Sequence, residues 1–436
     1  MITWRPIALF GFGLCTLPVW PNPWFGLLGW LIVVATVCIV DAVLAASPNG
    51  VSAWRTGDSV TRLGGTVTVT LHVRNSGDKP INGTVRDAWP PSAGAHGQEY
   101  RLNLPPRGTA RLPTTLTPTR RGDRHAATVS IRSYGPLGFA YRQTTRSAAR
   151  RITPPWRVRV LPPFNARKHL SEKLTKLRLV EGAVAVRGRG QGTEFDSLRE
   201  YVPGDDVRSI DWRSSARRQT IVVKTWRPER DRRVLSVIDT GRTSAARVGD
   251  EPRLDAQIEA ALLLSAVASH AGDRVDALAV DTEVRASVEG GSQKTLMTRL
   301  LRALAPVEPA LVETDFGLAV SEVLRRESKR ALVVLFTTLE PGPITESLLP
   351  ILPQLSPRHR CIVAAVTDPE AEKLRRGRES PLDVYRAAAA EQARLERRKV
   401  AAALARHDVD VIEAPVERFA PAVVDAYLML KSTGRL

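Results

Sequence analysis

The chain has 436 residues, of which 43% are apolar and 25% are charged, and its 63 basic and 45 acidic residues give a formal charge of +18. This length exceeds one compact core and predicts two or three domains, while the ordinary composition excludes wholesale disorder. Three cysteines and seven histidines, spread along the chain, indicate neither a disulfide framework nor a Cys-His zinc site.

Two uncharged segments lie at the amino end, at residues 6–20 and 24–40, with only "PNP" between them. The second is long enough to cross a bilayer and the first is short. Arg5 and Arg55 flank the pair while the connecting turn has no charge, which predicts a transmembrane helical hairpin (residues 1–46) with both ends in the cytoplasm. A cleaved signal peptide would need a single apolar region. Asp41, just past the second segment, has no predicted function.

A small β domain is expected at residues 47–163. The stretch "TVTVTLHVRN" alternates with a period of two and places four apolar side chains on one face: Val67, Val69, Leu71 and Val73. Turn-rich segments follow and no helical periodicity intrudes. This pattern predicts an antiparallel β-sandwich.

A connecting segment at residues 164–231 begins with a helix that carries Leu170, Leu174 and Leu177 on one stripe, expected to pack on the next domain. It continues into "GTEFDSLREYVPGDDVRSIDWRSSARR", which is dense in charges of both signs. Pro203 and Gly204 suit a type II turn that lifts Asp205 and Asp206 to a tip. Three large side chains are expected to anchor this segment: Tyr201, Ile210 and Trp212.

Residues 232–436 alternate strand and helix, which predicts a doubly wound, mostly parallel α/β sheet. Ligands bind at the carboxyl ends of the strands in such sheets, where Asp239, Thr337 with Thr338, and Asp368 are expected. Asp239 and Thr243 could hold Mg²⁺ with Thr314 or Asp315, or could simply cap the following turn. No nucleophile elbow, Walker loop or zinc-protease motif occurs in the sequence, so catalytic machinery is not evident.

The charged segment and the following "VVKTWRPERDRRVLSVIDTGRTS" closely resemble the signature of the bacterial domain of unknown function 58 family. The resemblance implies two membrane spans, a β domain and a von Willebrand factor A-like domain. It also implies a MoxR-type AAA+ ATPase as a partner, in the assembly or maturation of other proteins. The expected location is then the bacterial cell membrane, multi-pass, with most of the chain in the cytoplasm.

The metal site of von Willebrand factor A domains has the pattern D-x-S-x-S with a distant Thr and a distant Asp. By this resemblance Asp239, Thr243 and Thr314 match, Gly241 replaces the first Ser, and Thr338 stands where the later Asp would fall. One carboxylate with hydroxyls would bind Mg²⁺ weakly.

The signature segment has two interpretations, a folded latch whose charges satisfy one another or a docking surface for the ATPase. Its candidate residues are Glu194, Asp196, Arg199, Glu200, Tyr201, Pro203, Gly204, Asp205, Asp206, Arg208, Asp211, Trp212 and Arg213.

We expect a membrane-anchored, non-enzymatic adaptor or scaffold. The alternatives are a metal-dependent hydrolase that uses Asp239 with Asp315, and a lipid- or nucleic-acid-binding surface built from the excess arginine. No nucleic-acid partner is expected, because no known nucleic-acid-binding module is recognisable and aromatic and basic residues do not interleave.

Overall fold

The computed structural model describes residues 2–187, 194–227 and 232–435. Two compact units form the chain, Met1–Leu161 and Pro162–Leu436. The predicted link "RGRGQG" therefore lies almost entirely outside the described residues.

The first unit opens with helices α1 (Arg5–Leu14) and α2 (Pro23–Leu44). Gly13 lets the two helices approach closely, because a Cβ at this position would collide with the indole ring of Trp30. The indole nitrogen of Trp30 donates to the hydroxyl of Thr16 at 2.9 Å. By length and composition, α2 is the one helix among the described residues that could cross a membrane. Helix α1, at ten residues, is shorter than a membrane span.

Asp41 fastens the end of α2 to a turn of the β domain. Its side chain is fully buried, and it accepts backbone hydrogen bonds from Leu137 (2.8 Å), Phe139 (2.7 Å) and Ala140 (2.8 Å). Three amide donors compensate the cost of removing a carboxylate from water. This residue, without a predicted function, therefore has a structural one.

The start of α1 reaches the same turn. The hydroxyl of Thr3 donates to the carbonyl of Gly138 at 2.9 Å, and Nη1 of Arg5 donates to the carbonyl of Leu137 at 2.8 Å. The amino end of α1 and the carboxyl end of α2 thus meet at one turn, which we call the anchor turn (residues 135–140).

The β domain contains two four-stranded antiparallel sheets, ordered β1-β3-β7-β5 and β10-β9-β4-β6, and a three-stranded sheet ordered β2-β11-β8. Its elements are β1 (Val51–Gly57), β2 (Val60–Arg62), β3 (Val67–Asn75), β4 (Ile81–Ala88), β5 (Ala95–His96), β6 (Glu99–Leu104), β7 (Thr109–Leu116), β8 (Gly122–His125), β9 (Thr128–Tyr134), β10 (Tyr141–Gln143), helix α3 (Arg146–Ile152) and β11 (Arg157–Leu161).

Both four-stranded sheets contribute to one core, as in a sandwich. Leu71 and Val73 of β3 pack with Ile81 and Val85 of β4 and with Ile131 of β9. The alternation predicted for "TVTVTLHVRN" is confirmed by the burial of its four apolar side chains.

Two details of the β-domain prediction, and one of the membrane-hairpin prediction, differ from the structure. Helix α3 interrupts the strands, where Thr145 caps it through a hydrogen bond from the amide of Ala148 at 3.3 Å. The third sheet is not purely antiparallel, because β11 pairs with β2 in parallel. Arg55 does not flank a membrane span. It points into the domain from β1, where it forms a fully buried ion pair with Asp87.

The second unit begins with α4 (Leu170–Arg187), which packs on two helices of the α/β domain, α7 (Arg253–His270) and α13 (Val416–Ser432). Its further elements are β12 (Glu194–Glu200), α5 (Trp212–Arg218), β13 (Val222–Arg227), β14 (Arg233–Asp239), α6 (Arg242–Ala245), β15 (Arg247–Val248), β16 (Glu251–Pro252), α7 (Arg253–His270), β17 (Arg274–Val280), β18 (Val284–Val288), α8 (Gln293–Leu304), α9 (Phe316–Arg326), β19 (Leu332–Thr337), a π-helix (Pro343–Leu348), α10 (Leu352–Leu355), β20 (Arg360–Thr367), α11 (Pro369–Arg376), α12 (Pro381–Ala405), β21 (Val409–Pro415) and α13 (Val416–Ser432).

The main sheet of this unit has the order β18-β17-β14-β19-β20-β21, with only β18 antiparallel to its neighbour. Helices cover both faces. Leu235 and Val237 share a core with α9 and α12, while Phe336 meets Phe419 of α13 on the other face at 6.2 Å between ring centroids. The strand order reverses direction between β14 and β19, so their carboxyl ends frame a crevice.

Candidate functional site

Asp239 ends β14 in that crevice, and it is almost completely buried. Its Oδ1 accepts hydrogen bonds from the amide of Gly241 (2.8 Å) and from the hydroxyl of Thr314. Its Oδ2 accepts from the hydroxyls of Thr243 (3.1 Å) and Thr337 (2.6 Å). The structure therefore brings together the three residues predicted to hold a metal, and adds a third threonine.

The glycine at position 241 makes this arrangement possible. A Cβ at Gly241 would collide with the hydroxyl of Thr314 and would lie 2.9 Å from the carbonyl of Val312. The amide of Arg242 also donates to the carbonyl of Val312 at 2.7 Å. The Thr314 loop thus lies in the space that the first serine of the metal-binding pattern would need.

Thr337, the last residue of β19, holds the position that the resemblance assigned to Thr338. Strand residues alternate in direction, and the register places the Thr337 hydroxyl toward Asp239. Thr338 is buried one residue further on. The rule that ligands bind at the carboxyl ends of parallel strands located Thr337 and Thr338, but it could not decide which of the two hydroxyls faces the carboxylate of Asp239.

Asp281, directly after β17, is a second buried carboxylate that the sequence did not single out. It accepts hydrogen bonds from the hydroxyl of Thr240 (2.9 Å) and from Nε of Arg285 (2.7 Å). Burial raises the pKa of Asp281, but these donors outweigh burial and hold the pKa below its ordinary value. The ending "AVD" resembles the "VID" of Asp239 and could have drawn attention to it.

The groups around Asp239 do not fit Mg²⁺ well. Both oxygens of Asp239 already accept two hydrogen bonds each, and the surrounding ligands are neutral hydroxyls. The described residues contain no group of three or more His, Cys, Asp or Glu side chains that could hold a metal. Mg²⁺ prefers carboxylates and water in an octahedral shell, so the cluster is better suited to hydrogen bonding within the protein.

Asp315, the proposed partner of Asp239 in the hydrolase alternative, and Asp368, which was expected at a strand end, both cap helices. Asp315 is exposed and accepts a hydrogen bond from the amide of Leu318 at 2.9 Å, at the start of α9. Asp368 does the same for the amide of Glu370 at 2.9 Å, at the start of α11. The structure therefore does not assemble the Asp239–Asp315 pair of the hydrolase alternative.

The signature segment folds as a module of its own, formed by β12, α5 and β13 (residues 194–227), which we call the signature module. Gly204 has a φ of +108° and the amide of Asp205 donates to the carbonyl of Val202 at 3.0 Å, as the Pro-Gly turn predicts. Arg199 holds Asp205 with two hydrogen bonds, of 2.7 and 2.6 Å. Asp205 is therefore held by Arg199 instead of standing free at a tip, whereas Asp206, directly after the turn, is exposed.

Asp211 and Ser215 lock the second half of this module. Asp211 caps α5 through the amide of Ser214 (3.0 Å) and pairs with Lys224 (3.4 Å). The hydrogen bond from Ser214 and the nearby Lys224 ammonium lower the pKa of the Asp211 carboxyl, against a smaller opposing effect of desolvation. The buried hydroxyl of Ser215 accepts from the amide of Val222 at 2.9 Å.

The predicted anchoring of the module by three large side chains is only partly found. Tyr201 and Ile210 are half-buried, but Trp212 is 65% exposed. Trp212, the first residue of α5, therefore does not anchor the module. The side chains of the candidates Glu194 and Asp196 lie outside the described residues.

The latch interpretation expected the charges of the segment to pair with one another and with the α/β domain. Among the described side chains, the pairs of the module stay inside it, as Arg199 with Asp205 and Lys224 with Asp211. The remaining candidates Glu200, Arg208 and Arg213 are exposed.

Residues 197–409 match the family model described as "Protein of unknown function DUF58". An uncharacterised protein of Mycobacterium bovis and two of Mycobacterium tuberculosis are 27% identical to this chain over 187 residues, or 42% of this chain and 58% of each relative. The chain thus spans just over half the length of these relatives.

Two solved structures show weak likenesses. The CARDB domain of the PF1109 protein from Pyrococcus furiosus, in complex with di-metal ions, is 15% identical and covers 28% of this chain and 91% of that domain, with a TM-score of 0.19. A GH20 exo β-N-acetylglucosaminidase from Vibrio harveyi is 11% identical and covers 82% of this chain and 73% of that enzyme, also with a TM-score of 0.19. Neither supports an argument about this protein.

Proposed function

We propose that the protein is a membrane-anchored scaffold that binds other proteins through its signature module, with a MoxR-type AAA+ ATPase as one partner. The observation that carries this proposal is the exposure of Trp212 on a module that is held together by the internal pairs of Arg199 with Asp205 and of Lys224 with Asp211. A large exposed aromatic side chain on an ordered surface is typical of protein-binding sites. The identity of the ATPase rests on the resemblance of the signature to its family.

The anchor in this proposal is the α1–α2 pair, inserted as a hairpin with both ends in the cytoplasm. The contacts of Thr3, Arg5 and Asp41 with the anchor turn support it, because they bring both outer ends of the pair to one place. The α/β domain, which we take as von Willebrand factor A-like from the family resemblance, would then be held near the membrane. No metal-dependent step enters the proposal.

The test is in-cell crosslinking of the full-length protein, followed by identification of captured proteins. We expect Trp212→Ala to lose an AAA+ ATPase that the wild type captures. Tyr385→Ala is the matched control, since Tyr385 is an aromatic residue 77% exposed on α12 of the same unit. Equal capture of the ATPase by the wild type, Trp212→Ala and Tyr385→Ala would refute the role of the module. If the wild type captures no partner at all, the scaffold proposal is refuted.

A further inference from the structure

The signature module combines exposed apolar and exposed basic side chains. Beside Trp212, it exposes Val202, Val207 (60%) and Ile221. These residues lie in the turn, in a 3₁₀ helix (Val207–Ser209) and directly before β13, so the apolar exposure is not limited to one loop. An apolar surface of this kind is costly in water and is typical of a surface that another molecule covers.

Four arginines accompany these apolar side chains. All are exposed, and within the described part of the chain none forms an ion pair: Arg208, Arg213, Arg217 and Arg218. Arg213 and Arg217 are four residues apart on α5 and therefore lie on the same side of this short helix. The ion pairs of the module, Arg199 with Asp205 and Lys224 with Asp211, do not involve these four guanidiniums, which are exposed to solvent.

The module holds these groups in a fixed arrangement. Asp211 caps α5, and Ser215 ties α5 to β13 through the amide of Val222 at 2.9 Å. Arg199 fixes the turn through Asp205. A surface ordered in advance loses little conformational entropy when a partner binds.

We propose that this surface binds an acidic, amphipathic segment of a partner protein. Carboxylates of the segment face Arg213 and Arg217, and its apolar side chains cover Trp212 and Val207. The inference rests on the proposed function, since it names the chemistry of the partner that the signature module binds. Guanidinium groups match carboxylates in two-point geometry, which gives such a contact its specificity.

A protein fits this surface better than an anionic bilayer does. Asp206 is exposed directly after the turn, and its Oδ1 accepts a hydrogen bond from the amide of Arg208 at 2.9 Å. Glu200, at the end of β12, is exposed as well. A uniformly negative lipid surface would repel both carboxylates, whereas a folded partner can place donors opposite them.

The experiment uses full-length protein in its native membrane, with a photo-crosslinking amino acid in place of Val207. Mass spectrometry then identifies the peptide that is crosslinked. Three versions are compared: the parent, Arg213→Glu with Arg217→Glu, and Arg386→Glu with Arg398→Glu as the matched control on exposed positions of α12. Protease resistance of the module shows that each version is folded.

We expect the crosslinked peptide to be rich in Asp and Glu with interspersed apolar residues. Reversal of Arg213 and Arg217 should lower its yield at least about tenfold, while the α12 control keeps it. Lysine at both positions should retain only part of the yield, because the charge remains while the two-point geometry of the guanidinium is lost.

Two results overturn the inference in different ways. In the first, a Trp212-dependent partner is captured, but its crosslinked peptide is not acidic or the reversal of Arg213 and Arg217 leaves the crosslinking yield unchanged. The scaffold proposal then stands, and the proposal of an acidic partner segment is wrong. If position 207 crosslinks to no protein, and binding to vesicles containing phosphatidylglycerol is lost on the reversal, the surface binds lipid and both proposals fail.

Discussion

Asp41 and Asp239 are both buried carboxylates at the end of an apolar element, but different donors surround them. Asp41 accepts from three backbone amides of the anchor turn, whereas Asp239 accepts from three threonine hydroxyls and one amide. An amide can only donate, while a hydroxyl can also rotate and accept. The Asp41 contact is therefore fixed in one role, whereas the Asp239 cluster can reorganise around a substitution.

The largest effect is expected from Asp41→Ala. Three amides lose their acceptor, and each buried unsatisfied donor costs about 1–3 kcal/mol. Amide exchange at Leu137, Phe139 and Ala140, measured on the full-length protein, should accelerate by about 100-fold, which corresponds to about 2.7 kcal/mol. Asp41→Asn keeps one acceptor oxygen, so its amide exchange rates should lie between those of the wild type and those of Asp41→Ala.

The control for this change is Asp78→Ala, which removes an exposed carboxylate from another turn of the first unit. It should leave exchange at the anchor turn unchanged. If Asp41→Ala also leaves it unchanged, the contact between α2 and the anchor turn is not what holds that turn.

Gly241→Ser should have the next largest effect. Its Cβ would collide with the hydroxyl of Thr314, and forcing atoms into a packed site costs about 1–3 kcal/mol. The urea midpoint of unfolding should fall, and Gly241→Ser with Thr314→Ala should recover part of the loss, because the collision with the hydroxyl disappears while the carbonyl of Val312 stays 2.9 Å from the new Cβ. Recovery would show the capacity for reorganisation that distinguishes this cluster from Asp41.

Gly342→Ser serves as the control, since a Cβ at Gly342 meets nothing within 4 Å. A double substitution no more stable than Gly241→Ser alone would show that the hydroxyl collision is not the cause.

His359 shows the opposite situation, a buried polar group without donors or acceptors. Neither ring nitrogen has a hydrogen-bond partner among the described residues. Burial, with a smaller contribution from the charge of Arg358, lowers the pKa of His359. The unfolded chain therefore binds a proton at a pH where the folded chain does not, and stability falls as the pH drops below about 6.5.

His359→Leu should remove this loss. Between pH 7.5 and 5.5 the variant should lose up to about 1.4 kcal/mol less free energy of unfolding than the wild type, as measured by urea unfolding at each pH. His407→Leu, at an exposed position, is the control. Parallel pH profiles for wild type and His359→Leu would contradict the argument.

Sequence patterns predicted what depends on periodicity and on local turn chemistry. The alternating strand at Val67–Asn75 and the Pro203-Gly204 turn both follow from local rules. Helix α3 was missed because seven residues are too few for a periodic signal. Arg55 was misassigned because its partner Asp87 is distant in sequence.

The candidate site shows the same limit. Its position followed from the strand-end rule, and the burial of Asp239 agrees with it. The choice between Thr337 and Thr338 depends on register within the sheet, which a single strand does not reveal. The exposure of Trp212 could not be predicted either, because an aromatic residue between charges fits a buried anchor as well as a docking surface.

Addition of Mg²⁺ should have the smallest effect, which is measured on the thermal midpoint of unfolding of the wild type. A site that bound Mg²⁺ with a Kd of about 0.1 mM would add about 2.3 kcal/mol to the free energy of unfolding at 5 mM Mg²⁺. Because the oxygens of Asp239 are already saturated by four donors, we expect no measurable shift with Mg²⁺ or with EDTA. A Mg²⁺-dependent rise that Asp239→Asn abolishes would show that the threonine hydroxyls do turn from donors into ligands. In that case the flexibility that separates this cluster from Asp41 would serve metal binding rather than packing.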